Sequence, residues 1–188
     1  MNSSLRHLPN IISIARILLV GPVTWSLLHG EFTLAIWLFL LAGASDGLDG
    51  FLAKRFGWSS RLGGILDALA DKFLLITTFL CLWWLGVFPW WLVLSVLARD
   101  LLIVIGGTIY NFRIEAVEPE PTLISKLNTV LQIALAAVGV AALGFRGIPE
   151  SVIQGLIWLV MLTIVLSGAG YVREWSRRAR LMGGRRDN

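Results

Sequence analysis

Residues 32–85 read FTLAIWLFLLAGASDGLDGFLAKRFGWSSRLGGILDALADKFLLITTFLCLWWL. Two long apolar runs meet at a short hydrophilic stretch. Four aspartates, Asp46, Asp49, Asp67 and Asp71, lie just inside the facing ends of those runs. About 20 mostly apolar residues suffice to cross a bilayer as a helix. Lipid offers no partner to an open strand edge, so runs of this length fold as helices. The stretch therefore reads as two membrane helices that return to the same side and share an acidic end.

Outward from it, four more segments have the same length and character. The six together are roughly 9–28, 32–53, 63–85, 89–111, 123–144 and 151–172. Over all 188 residues, 56% are hydrophobic, 15% are charged and nine are Trp. Mean hydropathy is +0.77. Soluble domains carry about 25% charged residues, so this balance excludes an ordinary water-soluble enzyme and a disordered chain. Connections are short and no repeat interrupts them. The expected fold is an all-α integral membrane protein, six transmembrane helices in one bundle, a single domain over 1–188 with a basic tail at 173–188. Cys81 stands alone in an apolar run, which leaves no disulfide framework. His7 and His29 are isolated, which argues against a His-ligated metal.

The distribution of Lys and Arg sets the expected orientation. Arg6, Lys54, Arg55, Arg61, Arg113 and the tail arginines Arg173, Arg177, Arg178, Arg180, Arg185 and Arg186 fall on one side, and Arg146 alone on the other. By the positive-inside rule both termini are cytoplasmic. No cleavage site or Arg- and Ser-rich transit peptide precedes the first segment, which points to a bacterial inner membrane. The basic tail serves orientation and contact with anionic lipid; nucleic acid is not an expected partner. Trp83, Trp84, Trp90 and Trp91 bracket the turn at Gly86 and Pro89 and read as an aromatic belt on the outer face.

Nine ionisable residues interrupt the segments or their inner edges: Arg16, Asp46, Asp49, Asp67, Asp71, Lys72, Arg99, Asp100 and Lys126. At a helix centre each costs about 2.5–3.5 kcal/mol on insertion scales, too much to leave unpaired. With the expected topology all nine fall in the cytoplasmic half of the bilayer. That segregation implies a polar cavity open to the cytoplasmic side. Asp46 and Asp49 are spaced i, i+3, and Asp67 and Asp71 i, i+4, so each pair shares a helix face. Facing pairs concentrate negative charge that protonation or a cation must relieve. Carboxylates without His or Cys suit Mg²⁺ or Mn²⁺. The plainer alternative is pairing with Lys72, Arg99 and Lys126 for packing alone. Gly47, Gly50, Gly63 and Gly64 lie among the acids, and small residues let a ligand or a second helix approach the backbone. Helix contact is the simpler reading of Gly47 and Gly64. Arg16 reads as an interfacial anchor that snorkels, and Asp100 as a residue that orients Arg99.

From Asp46 the sequence DGLDGFLAKRFGWSSRLGGILDALAD resembles the signature of the CDP-alcohol phosphatidyltransferases, D-x2-D-G-x2-A-R-x8-G-x3-D-x3-D. Asp46, Asp49, Gly50, Ala53, Gly63, Asp67 and Asp71 match its fixed positions, and Lys54 replaces the Arg. Lys keeps the charge and loses the bidentate fork. The resemblance implies a two-metal enzyme that transfers a phosphatidyl group from CDP-diacylglycerol to an alcohol and releases CMP. Asp46, Asp49 and Asp67 hold the first metal in that family, and Asp71 joins at the second and acts as general base. Gly50, Ala53 and Gly63 let the cytidine nucleotide lie close, and Lys54 reaches its phosphates. Relatives also suggest a homodimer.

The acceptor is less marked. The opening LPNIISIARILLVGP is similar to the first helix of both the phosphatidylglycerophosphate synthases and the cardiolipin synthases within this family. Ala98-Arg99-Asp100 and PTLISKLNTVLQIAL at 121–135 look more like the cardiolipin synthases. Where phosphatidylglycerophosphate synthases tend to carry a further Arg, Gly107 stands here. Glycerol 3-phosphate is a dianion that benefits from several cations, and the lower basic count favours phosphatidylglycerol. Arg99 and Lys126 are the expected ligands of the acceptor's phosphate, with Arg113 a further candidate. Glycerol 3-phosphate as acceptor is the alternative within the family. A divalent-cation carrier is a different class, disfavoured because the outer half offers no polar path. A non-catalytic lipid-binding subunit is disfavoured because the acidic motif is intact.

Overall fold

A computed structural model of the protein describes the backbone at 8–56, 61–113, 123–145 and 147–186. Side chains are described at 11–47, 63–64, 67, 69–103, 105, 123–145 and 147–170. The described residues are all-helical, without a strand. Six helices follow in order: α1 (Leu8–Leu28), α2 (Phe32–Phe56), α3 (Arg61–Trp84), α4 (Trp90–Arg113), α5 (Leu123–Gly144) and α6 (Glu150–Arg186). Each coincides with one of the apolar segments.

Among the described residues three stretches are long and apolar enough to cross a membrane: Ile11–Leu28, Leu123–Gly144 and Glu150–Gly170. α2, α3 and α4 lie outside that set and carry the acids Asp46, Asp67, Asp71 and Asp100. α2 retains a shorter apolar stretch, Phe32–Gly47. One boundary differs from the sequence reading. α6 does not stop near 172 but continues through the basic tail to Arg186. The tail contains no Pro, and its six arginines are good helix formers.

The chain divides into two compact units. One comprises the chain up to Pro89 with Ile133–Glu150; the other comprises Trp90–Gln132 and the residues from Ser151 onward. In the first, α1 packs against both α2 and α3. Ala35, Ala42 and Ala70 are fully buried, and small side chains at such positions allow close helix approach. Leu27, Phe79 and Leu82 are among the large apolar side chains buried in this unit. A Cβ on Gly139 of α5 would lie 2.9 Å from both Leu82 Cδ1 and Phe88 Cζ, so that contact depends on glycine.

Two tight turns reverse the chain in this unit. At the end of α1, Glu31 N–H donates to Ser26 C=O (2.9 Å) and Gly30 N–H to Leu27 C=O (3.4 Å). At the end of α3, Val87 N–H donates to Leu82 C=O (2.8 Å) and Gly86 N–H to Trp83 C=O (2.9 Å). This is the bonding pattern of a Schellman cap, which requires a left-handed residue. Gly30 and Gly86 supply it, at φ 78° and 77°.

In the second unit α4, α5 and α6 bury polar groups. Thr163 Oγ and the Asn128 side-chain amide are 2.9 Å apart, and Gln132 and Ser167 are almost fully buried. In each unit large apolar side chains face outward: Leu18 and Trp37 in the first, and Leu94, Leu123, Trp158 and Val165 in the second, are all more than half exposed. An apolar exterior of this extent suits lipid surroundings.

Candidate metal centre

Three helices of the first unit build the site. α1 contributes Ser13 and Arg16, three residues apart and hence on one face. α2 contributes Asp46 from its second half, and α3 contributes Asp67 and Asp71 from its early turns. One carboxylate oxygen from each of Asp46, Asp67 and Asp71 lies within 4.8 Å of the others. The expected meeting of the two acidic helices is therefore present. Oxygens on opposite sides of a Mg²⁺ are about 4 Å apart, so small side-chain adjustments bring these three into one coordination sphere. Hard oxygen donors alone match the chemistry of Mg²⁺ or Mn²⁺.

Arg16 sits at the focus of the three acids. Its Nη1 donates to Asp46 Oδ1 at 2.9 Å and to Asp67 Oδ1 at 3.0 Å, and it also contacts Asp71 Oδ1. The Arg16 side chain is fully buried, whereas the three carboxylates keep 36–46% of their side-chain surface exposed. Ser13 Oγ lies 3.5 Å from Asp67 Oδ1. Arg16 is thus not a snorkelling anchor. Its guanidinium turns inward because three carboxylates converge there, a stronger attraction than the interface offers. Arg16 is a partner of the acids that the packing alternative, built on Lys72, Arg99 and Lys126, did not include. One sequence signal pointed to it: Arg16 lies in the same half of its segment as the acids lie in theirs.

Among the described residues, a Cβ on Gly47 or Gly64 meets nothing within 4 Å. Gly63 is buried. Asp49, Gly50, Ala53, Lys54 and Arg113 lie outside the residues whose side chains are described.

The second unit holds a separate buried cluster. Arg99 Nη1 donates to Asp100 Oδ1 at 2.8 Å, and Nη2 to Ser125 Oγ at 2.5 Å and Ser167 Oγ at 3.4 Å. Asp100 does orient Arg99. Arg99 is 6% exposed, and its Nε has no hydrogen-bond partner among the described residues. Lys126, the other expected acceptor ligand, is exposed on α5. Ser125 has an ordinary capping or packing reading in sequence, and Ser167 was not singled out, because a lone serine on an apolar helix gives no periodic signal.

A family model described as CDP-alcohol phosphatidyltransferase matches residues 6–167. A probable cardiolipin synthase (CMP-forming) of Drosophila melanogaster is 30% identical over 182 residues, covering 88% of this chain and 56% of that protein. A chloroplastic CDP-diacylglycerol–glycerol-3-phosphate 3-phosphatidyltransferase of rice is 36% identical over 186 residues, with the same coverage of 88% and 56%. A protein of Aquifex aeolicus with the latter activity in its name is 32% identical over 140 residues, 71% of this chain and 76% of its own. The chain spans about half the length of the first two relatives.

Proposed function

The chain belongs to the CDP-alcohol phosphatidyltransferase family, and we propose that it transfers the phosphatidyl group of CDP-diacylglycerol to phosphatidylglycerol, forming cardiolipin and CMP. The convergence of Asp46, Asp67 and Asp71 carries this reading. It brings together, from two helices, acids that the family signature places 21 and 25 residues after the first.

Asp46, Asp49 and Asp67 hold one divalent ion and Asp71 helps to hold a second. Bound there, Mg²⁺ or Mn²⁺ neutralises the pyrophosphate, polarises phosphorus and stabilises the departing CMP. Asp71 accepts the proton of the acceptor hydroxyl as that oxygen forms its bond to phosphorus and the bond to the CMP oxygen breaks. Gly50, Ala53 and Gly63 let the nucleotide lie against α2 and α3, and Lys54 reaches its phosphates. Among the described residues nothing lies within 4 Å of a Cβ at Gly47 or Gly64, which agrees with a ligand on that face. Arg99 and Lys126, with Arg113, bind the acceptor's phosphate.

The apolar exterior and the three long apolar helices support a multi-pass protein of a bacterial inner membrane, six helices crossing and both termini cytoplasmic. The acids then open toward the inner leaflet, where acyl chains stay in lipid while the head group reaches its ligands. A homodimer is the assembly proposed.

Glycerol 3-phosphate is the second reading, favoured by the names of the rice and Aquifex relatives. The acceptors are separated by offering both to purified protein with CDP-diacylglycerol and resolving the lipid products. Preferential cardiolipin formation supports the first reading; preferential phosphatidylglycerophosphate reverses it.

A further inference from the structure

Arg16 Nη1 stands where a metal ion bound by Asp46, Asp67 and Asp71 would stand. Its neighbours are the Oδ1 atoms of all three acids. A guanidinium nitrogen of this kind carries hydrogens for two acceptors, and here it meets three. The geometry is one that a multivalent cation satisfies and an N–H donor does not. Among the described residues three carboxylates converge on this one guanidinium.

We infer that Arg16 is the site's resident cation in the metal-free protein and yields its place when a divalent ion binds. The inference rests on the metal-centre reading above and adds a role for a residue outside the acidic motif. Without metal, Arg16 holds the three helices together against the mutual repulsion of the acids. When Asp46, Asp67 and Asp71 turn to a metal, the guanidinium is displaced to a position beside them. A phosphate group of the donor is the chemistry that fits a freed guanidinium at that position. Arg16 thereby makes metal uptake weaker in the empty site than the three acids alone allow.

The test is Mn²⁺ binding, followed by loss of the free-ion electron paramagnetic resonance signal, with the full chain in zwitterionic nanodiscs. Arg16→Gln is expected to bind Mn²⁺ roughly tenfold or more tightly than wild type, since a competing charge at contact distance is removed. Lys72→Gln removes a cation next to Asp71 in sequence and serves as the comparison for loss of one positive charge, with a smaller gain in affinity expected than for Arg16→Gln. If Arg16→Gln does not fold without metal, Arg16→Lys replaces it, with tighter binding than wild type still expected because the fork is lost. An Arg16 variant that binds Mn²⁺ no more tightly than Lys72→Gln overturns the exchange while leaving the metal centre standing. Failure of wild type and both Arg16 variants to take up Mn²⁺ removes the metal centre itself, and the exchange with it.

Discussion

Arg16 and Asp71 lie 55 residues apart in sequence and in direct hydrogen-bonded contact. Arg16 makes the same kind of contact with Asp46 and Asp67, so a single buried guanidinium joins α1, α2 and α3. Removing one partner of a fully buried pair costs about 3–5 kcal/mol. The acids here are more than a third exposed, and solvent screening reduces that figure. Arg16→Ala is expected to lower metal-free stability by about 2–3 kcal/mol. Thermal unfolding in detergent without divalent ions measures the loss. A transition unchanged from wild type contradicts the structural role of Arg16.

Asp71 is assigned the proton of the acceptor hydroxyl. General bases contribute about 10²–10⁴ in rate. Asp71→Asn removes the base and keeps the side-chain shape. CMP release is expected to fall by at least about 10²-fold while membrane insertion is retained. Turnover near wild type removes Asp71 from that role.

The six helices were legible because long apolar segments strongly favour helices. The acidic cluster was legible because i, i+3 and i, i+4 spacings fix which acids share a face, and Asp46, Asp67 and Asp71 do meet. The partner chosen by those acids was not. Spacing constrains residues on one helix, whereas Arg16 reaches the acids by the way α1 lies against α2 and α3. The reach of α6 to Arg186 was missed for a related reason: charge marks the end of a membrane span, not the end of a helix. The surroundings of Gly47 and Gly64 were equally beyond reach, since glycine looks the same in sequence whether it touches a helix or a ligand.

Arg99 is held by Asp100 and Ser125, which fixes its guanidinium within the buried cluster. If it binds the acceptor's phosphate, Arg99→Lys loses the planar fork and keeps the charge. The expected result is a KM for phosphatidylglycerol raised roughly tenfold, with the KM for CDP-diacylglycerol little changed. Steady-state kinetics varying one lipid at a time check this. Equal rises for both lipids indicate a packing defect instead.

Gly139 lets α5 approach Leu82 and Phe88. Phe88 is buried and leans on Phe79, with ring centroids 5.1 Å apart, so its ring has little room to retreat. Gly139→Val is expected to lower stability by about 1–3 kcal/mol, the usual effect of forcing extra volume into a packed contact. Thermal unfolding at fixed metal concentration measures it, and an unchanged midpoint contradicts the tight contact.

Metal-dependent CMP release tests the assignment of the three acids most directly. Purified protein is stripped with chelator, assayed with CDP-diacylglycerol and phosphatidylglycerol, and assayed again after Mg²⁺ or Mn²⁺ is returned. Release is expected to vanish on stripping, to return with either ion, and to stay absent in Asp67→Asn under both conditions. Full CMP release from the stripped wild-type protein contradicts a metal centre at Asp46, Asp67 and Asp71.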